Sequence, residues 1–175
     1  ARYEQLVVSD DVESLQTLGQ LKLNIVGQEL AGIDALEQAL ALDPSQHQTR
    51  LTLAGSYIRL KQYDRAEQLA EEWINNEDTA ATGYNLKALL ALIQNKTAKG
   101  KELLDLAYSK DSSNVFTHLM MATVATSEGN KTLADELLLK AISVKRDYIP
   151  ALSSYFISQS KQGKPETAIE LIEKS

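Results

Sequence analysis

The sequence predicts an all-α fold, an α-solenoid of about five antiparallel helix pairs. A period of thirty-four residues runs along the chain without insertions, and its units begin at Glu13, His47, Ala81, Val115 and Ile149. Small residues recur at fixed places within this unit, and only 6% of the residues are aromatic. A fixed period with small residues at fixed phases indicates one supersecondary unit that is stacked repeatedly.

The small residues mark three places where helices should approach closely. Counted from Glu13, the eighth, twentieth and twenty-seventh places hold Ala54, Ala88 and Ala122; then Gly32, Ala66, Gly100, Ala134 and Ala168; then Ala39, Ala107 and Ala141. Three residues depart from this pattern, namely Gln20, Phe156 and Trp73. Trp73 is expected either to displace the third unit outward or to fill extra space beside Gly83.

Each unit reads as a helix, a tight turn, a second helix and a short loop. In the fourth unit a helix over 116–128 is predicted to end at Gly129, and a second one runs from Leu133 to Val144. The same break recurs at Gly27, Lys61, Asn95 and Gly163. Residues 13–175 are predicted to form a single array. Residues 1–12, with Leu6 and Val8 on a buried side, are either the tail of a preceding helix or an irregular lead-in.

Together, these residues resemble the tetratricopeptide repeat. Besides the small residues, the resemblance rests on Tyr57 at place eleven, Tyr63 at place seventeen and Asp43-Pro44 at the unit end. It covers residues 13–175 and implies a right-handed α-solenoid that binds other proteins. It also implies that places two, five, nine and twelve of each first helix line a concave groove.

Read onto this sequence, those groove places hold no charged residue. This argues against the carboxylate clamp by which some tetratricopeptide domains hold chaperone C-termini. The middle of the groove is apolar, as expected for contact with another protein. Packing between neighbouring first helices is the alternative explanation for these side chains. The candidate partner-binding residues are Leu51, Ile58, Asn85, Leu89, Leu92, Phe116, Leu119 and Ile157.

Composition disfavours several other functions. The net charge is −6 and no Lys/Arg stripe appears, so nucleic-acid binding is not expected. There is no cysteine for a thiolate site, and no apolar run long enough to span a membrane. His47 and His118 lie two units apart with no ligand three or four residues on. We therefore expect no catalytic, metal or cofactor site.

The resulting prediction is a non-catalytic scaffold that binds an apolar peptide or helix of a partner protein. The alternative is a structural segment of a longer repeat protein, or a scaffold that associates with itself as a homodimer. A weaker resemblance, carried by the runs 148–152 and 162–168, is to bacterial lipoproteins associated with exosortase and exopolysaccharide export. The chain begins at Ala1, so we expect an upstream segment, and localisation stays open between cytoplasm and periplasm.

Overall fold

A computed structural model describes residues 11–173, except for the side chain of His47. Over these residues the protein forms ten α-helices and no strand, which confirms the predicted all-helical fold. The helices are α1 (Val12–Leu23), α2 (Glu29–Leu42), α3 (His47–Arg59), α4 (Tyr63–Ile74), α5 (Ala80–Ile93), α6 (Thr97–Lys110), α7 (Val115–Ser127), α8 (Lys131–Val144), α9 (Ile149–Lys161) and α10 (Pro165–Glu173). Odd-numbered helices are the first helices of the predicted units.

The chain divides into two compact units between Leu69 and Ala70, within α4. We describe the N-terminal unit (residues 11–69) and the C-terminal unit (residues 70–173) separately. The single array over 13–175 therefore stays a prediction. Helix α1 starts at Val12, where the Asp11 carboxylate accepts from the backbone N–H of Ser14 at 2.8 Å and caps the helix. The predictions for residues 1–10, including Leu6 and Val8, lie outside the described residues.

The tight turn inside each helix pair has the same backbone geometry. The predicted break residues have positive φ angles, which let the chain leave a helix in the left-handed conformation. Glycine supplies this conformation at three of the turns, whereas Lys61 (φ 57°) and Asn95 (φ 59°) adopt it with a side chain. The five residues are Gly27, Lys61, Asn95, Gly129 and Gly163. The predicted turn positions are therefore confirmed.

The predicted small residues are buried between helices. At the twentieth and twenty-seventh places, the six alanines have exposed fractions of 0–2%. Gly32 permits a close approach of two helix backbones, because a Cβ there would lie 2.7 Å from the backbone nitrogen of Leu23. Gln20 is exposed at the eighth place, and the preceding Gly19 makes the contact with Gly32 and Leu36 instead.

Trp73 replaces a small residue and is itself buried, with 1% of its surface exposed. Its backbone carbonyl accepts a hydrogen bond from the Thr79 hydroxyl at 2.9 Å. The three atoms nearest to a Cβ at Gly83 belong to Ala70 and Ile74. Ile74, the residue that follows Trp73, therefore packs against Gly83 together with the backbone of Ala70.

The C-terminal unit contains two clusters of buried side chains. One joins α5, α6 and α7 and is built around Ala88, Leu103, Leu104 and Met120. The other joins α7, α8, α9 and α10 and includes Leu138, Ala141, Tyr155 and Ala168. These clusters fix the first helices α7 and α9, whose remaining faces carry the candidate site.

Candidate partner-binding surface

We use the term first-helix surface, in each unit separately, for the exposed faces of the odd-numbered helices of that unit. Of the eight predicted contact residues, Leu51, Phe116 and Ile157 are exposed there, with exposed fractions of 41%, 39% and 52%. Four others are half-buried, namely Ile58, Leu89, Leu92 and Leu119. Asn85 is buried, with an exposed fraction of 1%. The structure therefore separates the predicted set into three environments.

Asn85 is a correction to the sequence-based prediction, because its amide is used inside the protein. Its Nδ2 donates to Oγ1 of Thr117 at 2.8 Å, and that hydroxyl donates back to Oδ1 at 3.1 Å. Asn114, which caps α7 through the N–H groups of Phe116 and Thr117, lies 3.4 Å from the same Nδ2. Asn85 thus connects α5 to α7 and is closed to a partner.

The half-buried leucines contribute to the cores. Leu89 and Leu92 pack against the α5–α7 cluster, and Leu119 packs against the α7–α10 cluster. Leu92 faces α6 closely, since a Cβ at Gly100 would lie 2.7 Å from its Cδ2. The predicted apolar centre of the groove is therefore largely packing in the C-terminal unit, and only part of each side chain is available to a partner.

Two clefts lie on the first-helix surface, one in each unit. The N-terminal cleft has a volume of about 440 Å³ and is lined by Gln20, Leu23, Asn24, Leu51, Thr52, Gly55, Ser56 and Arg59. The C-terminal cleft has a volume of about 430 Å³ and is lined by Ala122, Thr123, Thr126, Ser127, Lys131, Leu138, Ser154, Ile157, Ser158 and Lys161. These volumes fall in the range of ligand-binding pockets.

The two clefts are built from equivalent places three units apart. Adding 102 to the number of a residue in the N-terminal cleft gives its C-terminal counterpart. This relates Gln20 to Ala122, Asn24 to Thr126, Thr52 to Ser154, Gly55 to Ile157, Ser56 to Ser158 and Arg59 to Lys161. The period therefore creates the cleft, and the residues at these places decide its chemistry.

In the C-terminal cleft, apolar atoms come from Ala122, Leu138 and Ile157, and several hydroxyl groups surround them. Thr123 and Thr126 donate their hydroxyl protons to backbone carbonyls four residues earlier, at 2.9 and 2.8 Å. Such bonds leave the hydroxyl oxygens as acceptors. Lys131 and Lys161 supply the only charges among the lining residues.

Sequence reasoning missed these two lysines because it considered only places two, five, nine and twelve. Lys161 is at place thirteen, next to place twelve, whereas Lys131 is at place seventeen, in the second helix of its unit. One signal could have revealed Lys131. It is the first residue of α8, where a cation opposes the helix dipole, whereas the equivalent residue of α2 is Glu29.

A smaller cleft of about 210 Å³ lies between α6, α7 and α8. Its lining is mainly apolar, and Lys101 and Glu128 form an ion pair at 2.8 Å beside it. The ion pair uses two of the three charged side chains that line this cleft, and the third is the carboxylate of Asp105.

The His118 ring is buried, and one of its two nitrogens makes a hydrogen bond. Its Nε2 donates to the Ser112 carbonyl at 2.9 Å, the ring meets Tyr108 edge-on, and Nδ1 has no protein partner among the described residues. Burial lowers the pKa of His118 below its usual 6.5. The side chain of His47 lies outside the description.

Within residues 11–173, no group of three or more histidine or acidic side chains could hold a metal ion. No helix in the described part of the chain combines the length and apolar character needed to cross a membrane. Around the C-terminal cleft, the polar groups are hydroxyl and ammonium groups beside apolar side chains.

Comparison with known proteins places the helical pattern in a known repeat. Residues 27–90 match the tetratricopeptide repeat model. No curated protein matches the chain by sequence. The weaker resemblance to exosortase-associated lipoproteins thus gains no support.

Several solved structures share the fold at low sequence identity. A crystal structure of MamA protein is 20% identical, with 93% of this chain and 88% of that chain covered and a TM-score of 0.55. The Cut9–Hcn1 hetero-tetramer of APC/C is 11% identical, with 97% and 35% covered and a TM-score of 0.70. The human IFIT1 dimer with m7Gppp-AAAA is 18% identical, with 93% and 40% covered and a TM-score of 0.65. The chain thus has a tetratricopeptide-repeat fold, and residues 27–90 carry the sequence pattern of that repeat.

Proposed function

We propose that this chain is a non-catalytic scaffold that binds an apolar peptide or helix of a partner protein on its first-helix surface. The tetratricopeptide-repeat fold supports a role in protein–protein interaction. The observation that carries the finer proposal is the C-terminal cleft, where Ile157 is 52% exposed beside the apolar atoms of Ala122 and Leu138. An exposed apolar side chain in such a cleft can anchor a guest.

The contact residues of this proposal differ from the eight predicted by sequence. Ile157 forms the centre, and Phe116 is a further exposed residue on α7 of the same unit. Leu51 is exposed on α3 of the N-terminal unit and belongs to the other cleft. The half-buried leucines provide only the accessible edges of their side chains. The carbonyl-bonded threonines of α7 define the polar border of the cleft.

A protein partner is favoured over a nucleic acid. Among the solved relatives, IFIT1 is bound to a capped RNA, but at 18% identity that similarity concerns the fold. The present chain carries a net charge of −6, which repels a phosphate backbone. No aromatic side chain lines the C-terminal cleft to stack on a base.

A displayed library of random seven-residue peptides tests the proposal. We expect wild-type protein to select peptides with large apolar residues, and Ile157→Ser to lose most of this binding. Ile149→Ser is the matched control, because Ile149 is 66% exposed on the same helix but lies outside the cleft. Failure to select any peptide, or equal binding by Ile157→Ser, would contradict the proposal.

Self-association is the second candidate, favoured by exposed apolar residues such as Ile149 and Val144 beside the α8–α9 loop. Sedimentation velocity over about a hundredfold concentration range, which corresponds to about 2.8 kcal/mol in the free energy of dimerisation, distinguishes it. A concentration-dependent dimer that Ile149→Ser abolishes would establish it. A monomer throughout would leave the first-helix surface free for another protein.

A further inference from the structure

We propose that the C-terminal cleft binds an acidic peptide segment in which carboxylate side chains flank one large apolar residue. This inference rests on the proposed function and specifies the chemistry of the partner. It is carried by the two lysines of the cleft, by the apolar side chains that line the same cleft, and by the comparison with the equivalent N-terminal cleft.

Both lysines are free to meet an anion. The lining of the cleft includes two ammonium groups and no carboxylate, and neither ammonium group has an ion-pair or hydrogen-bond partner within residues 11–173. The nearby Asp135 carboxylate is held by neutral donors, namely the Ser158 hydroxyl at 2.6 Å and the Gln159 and Gln162 amides at 2.8 and 2.9 Å. It is therefore committed to the α8–α9 contact.

The placement of Lys131 has no explanation in the stability of α8. A lysine at the first residue of a helix opposes the dipole, and α8 has no acidic residue in its first turn to offset it. In the N-terminal unit the same place holds Glu29, whose carboxylate accepts from the N–H of Gly27 at 2.8 Å. Lys161 differs, because the last turn of α9 favours a cation.

The N-terminal cleft is built from equivalent places but has no free cation among its lining residues. Arg59, the counterpart of Lys161, donates to the Leu23 carbonyl at 3.1 Å, and Gly55 replaces the apolar Ile157. Only the C-terminal cleft therefore combines two uncommitted cations with an apolar anchor. Because the whole chain is acidic, this local positive charge can select acidic partners at one place.

The apolar atoms of the cleft decide between a peptide and a simple anion. A volume of about 430 Å³ beside Ala122, Leu138 and Ile157 leaves room for a large side chain that a lone phosphate or carboxylate would not fill. Two lysines supply point charges rather than the planar fork of arginine that suits phosphate. The fitting guest is thus an acidic peptide with an apolar side chain.

The same random peptide library tests the inference through the composition of the selected pools. The wild-type pool should be enriched in Asp and Glu on either side of a large apolar residue. The pool selected by Lys131→Gln with Lys161→Gln should keep the apolar residue and lose the acidic ones. Lys110→Gln with Lys145→Gln changes the net charge equally at exposed lysines outside the cleft, and should give the wild-type pool.

A peptide from the wild-type pool then allows a quantitative test. We expect the Kd of this peptide to rise about tenfold for the variant with both cleft lysines changed to Gln. For the variant with both control lysines changed to Gln, the Kd should rise less than about twofold. Converting its acids to amides should cause the same loss in wild type. Combining the lysine substitutions in the protein with the amide changes in the peptide should cause no further loss of affinity. Each change removes one partner of the same interaction.

The outcomes distinguish this inference from the proposed function. A selected pool that is apolar, neutral and dependent on Ile157 overturns the acidic partner and keeps the scaffold. Peptides that bind independently of Ile157 and of both lysines overturn both. A single-stranded RNA of seven nucleotides that displaces the peptide and requires both lysines would overturn the choice of a peptide.

Discussion

The two first-helix clefts have the same origin and different chemistry. Their volumes are about 440 and about 430 Å³, and they share six equivalent places three units apart. In the N-terminal cleft the cation is bonded to a backbone carbonyl, and a glycine occupies the central place. In the C-terminal cleft the cations are free and the central place holds Ile157. Repeat geometry therefore supplies a cavity, whereas the side chains at a few places make it selective.

Exchange of the residue at place eight should have the largest effect. Ala122→Gln copies Gln20 into the C-terminal cleft, but Ala122 is 2% exposed and Gln20 is exposed. The change both overpacks the site and buries an unpaired amide, so we expect a loss of about 2–4 kcal/mol in the free energy of unfolding. Urea denaturation measures this loss.

The reverse exchange, Gln20→Ala, should shift the free energy of unfolding by less than about 0.5 kcal/mol, because the side chain is exposed. Equal losses for Ala122→Gln and Gln20→Ala would show that the two places are not packed differently.

Two glycines of the N-terminal unit should respond oppositely to alanine. Gly32→Ala should destabilise by about 1–3 kcal/mol, since its Cβ would meet the backbone of Leu23 at 2.7 Å. Gly55→Ala should stabilise by about 0.5–1 kcal/mol, because Gly55 is helical and a Cβ there has no neighbour within 4 Å. Thermal melts of both variants check the signs, and two shifts of the same sign would refute the assigned packing.

Charge exchange at place seventeen should separate stability from binding. Lys131→Glu reproduces Glu29 and should stabilise α8 by about 0.3 kcal/mol, the low end of the dipole effect, because the site is exposed. The same change should weaken binding of an acidic peptide. Chemical denaturation beside peptide titration measures both effects, and a variant that becomes less stable would contradict the dipole argument.

Acidification below about pH 6.5 should lower the stability of the C-terminal unit through His118, and this effect should be absent at neutral pH. Folding lowers the pKa of His118 below 6.5, so the unfolded state binds more protons once the pH falls below about 6.5. Stability should then decrease as the pH falls. The neighbouring charges are Asp111, which opposes the shift, and Lys140, which adds to it, with Tyr108 packed on the ring.

Urea midpoints between pH 7.5 and 5, a range of about one unit or more on each side of an unperturbed histidine, test this expectation. His118→Gln should lower stability at neutral pH and flatten the pH dependence over that range. A pH dependence that survives the substitution unchanged would assign it to other groups.

The sequence was most informative where one residue decides the local structure. The turns at Gly27 to Gly163 and the buried alanines follow from backbone geometry and helix spacing alone. Sequence was less informative on the first-helix surface, because exposure there depends on a neighbouring helix. Asn85 is buried because Thr117 offers it a hydrogen bond, and Leu92 packs inward because Gly100 leaves room. Lys131 was missed because only first-helix places were considered.

The polar contact that Asn85 makes between two first helices has a counterpart at Gln16 in the N-terminal unit. Within each unit, the contact restricts the register of one first helix against the next. In the N-terminal unit the Gln16 amide donates to Thr49 at 2.7 Å and to Gln46 at 2.9 Å, much as Asn85 meets Thr117 and Asn114. A shift of one helical turn would leave these groups without their partners, in a buried site for Asn85 and Thr117 and in a half-buried one for Gln16. Such polar pairs fix the register of neighbouring first helices within each unit. A purely apolar contact between helix faces lacks this constraint.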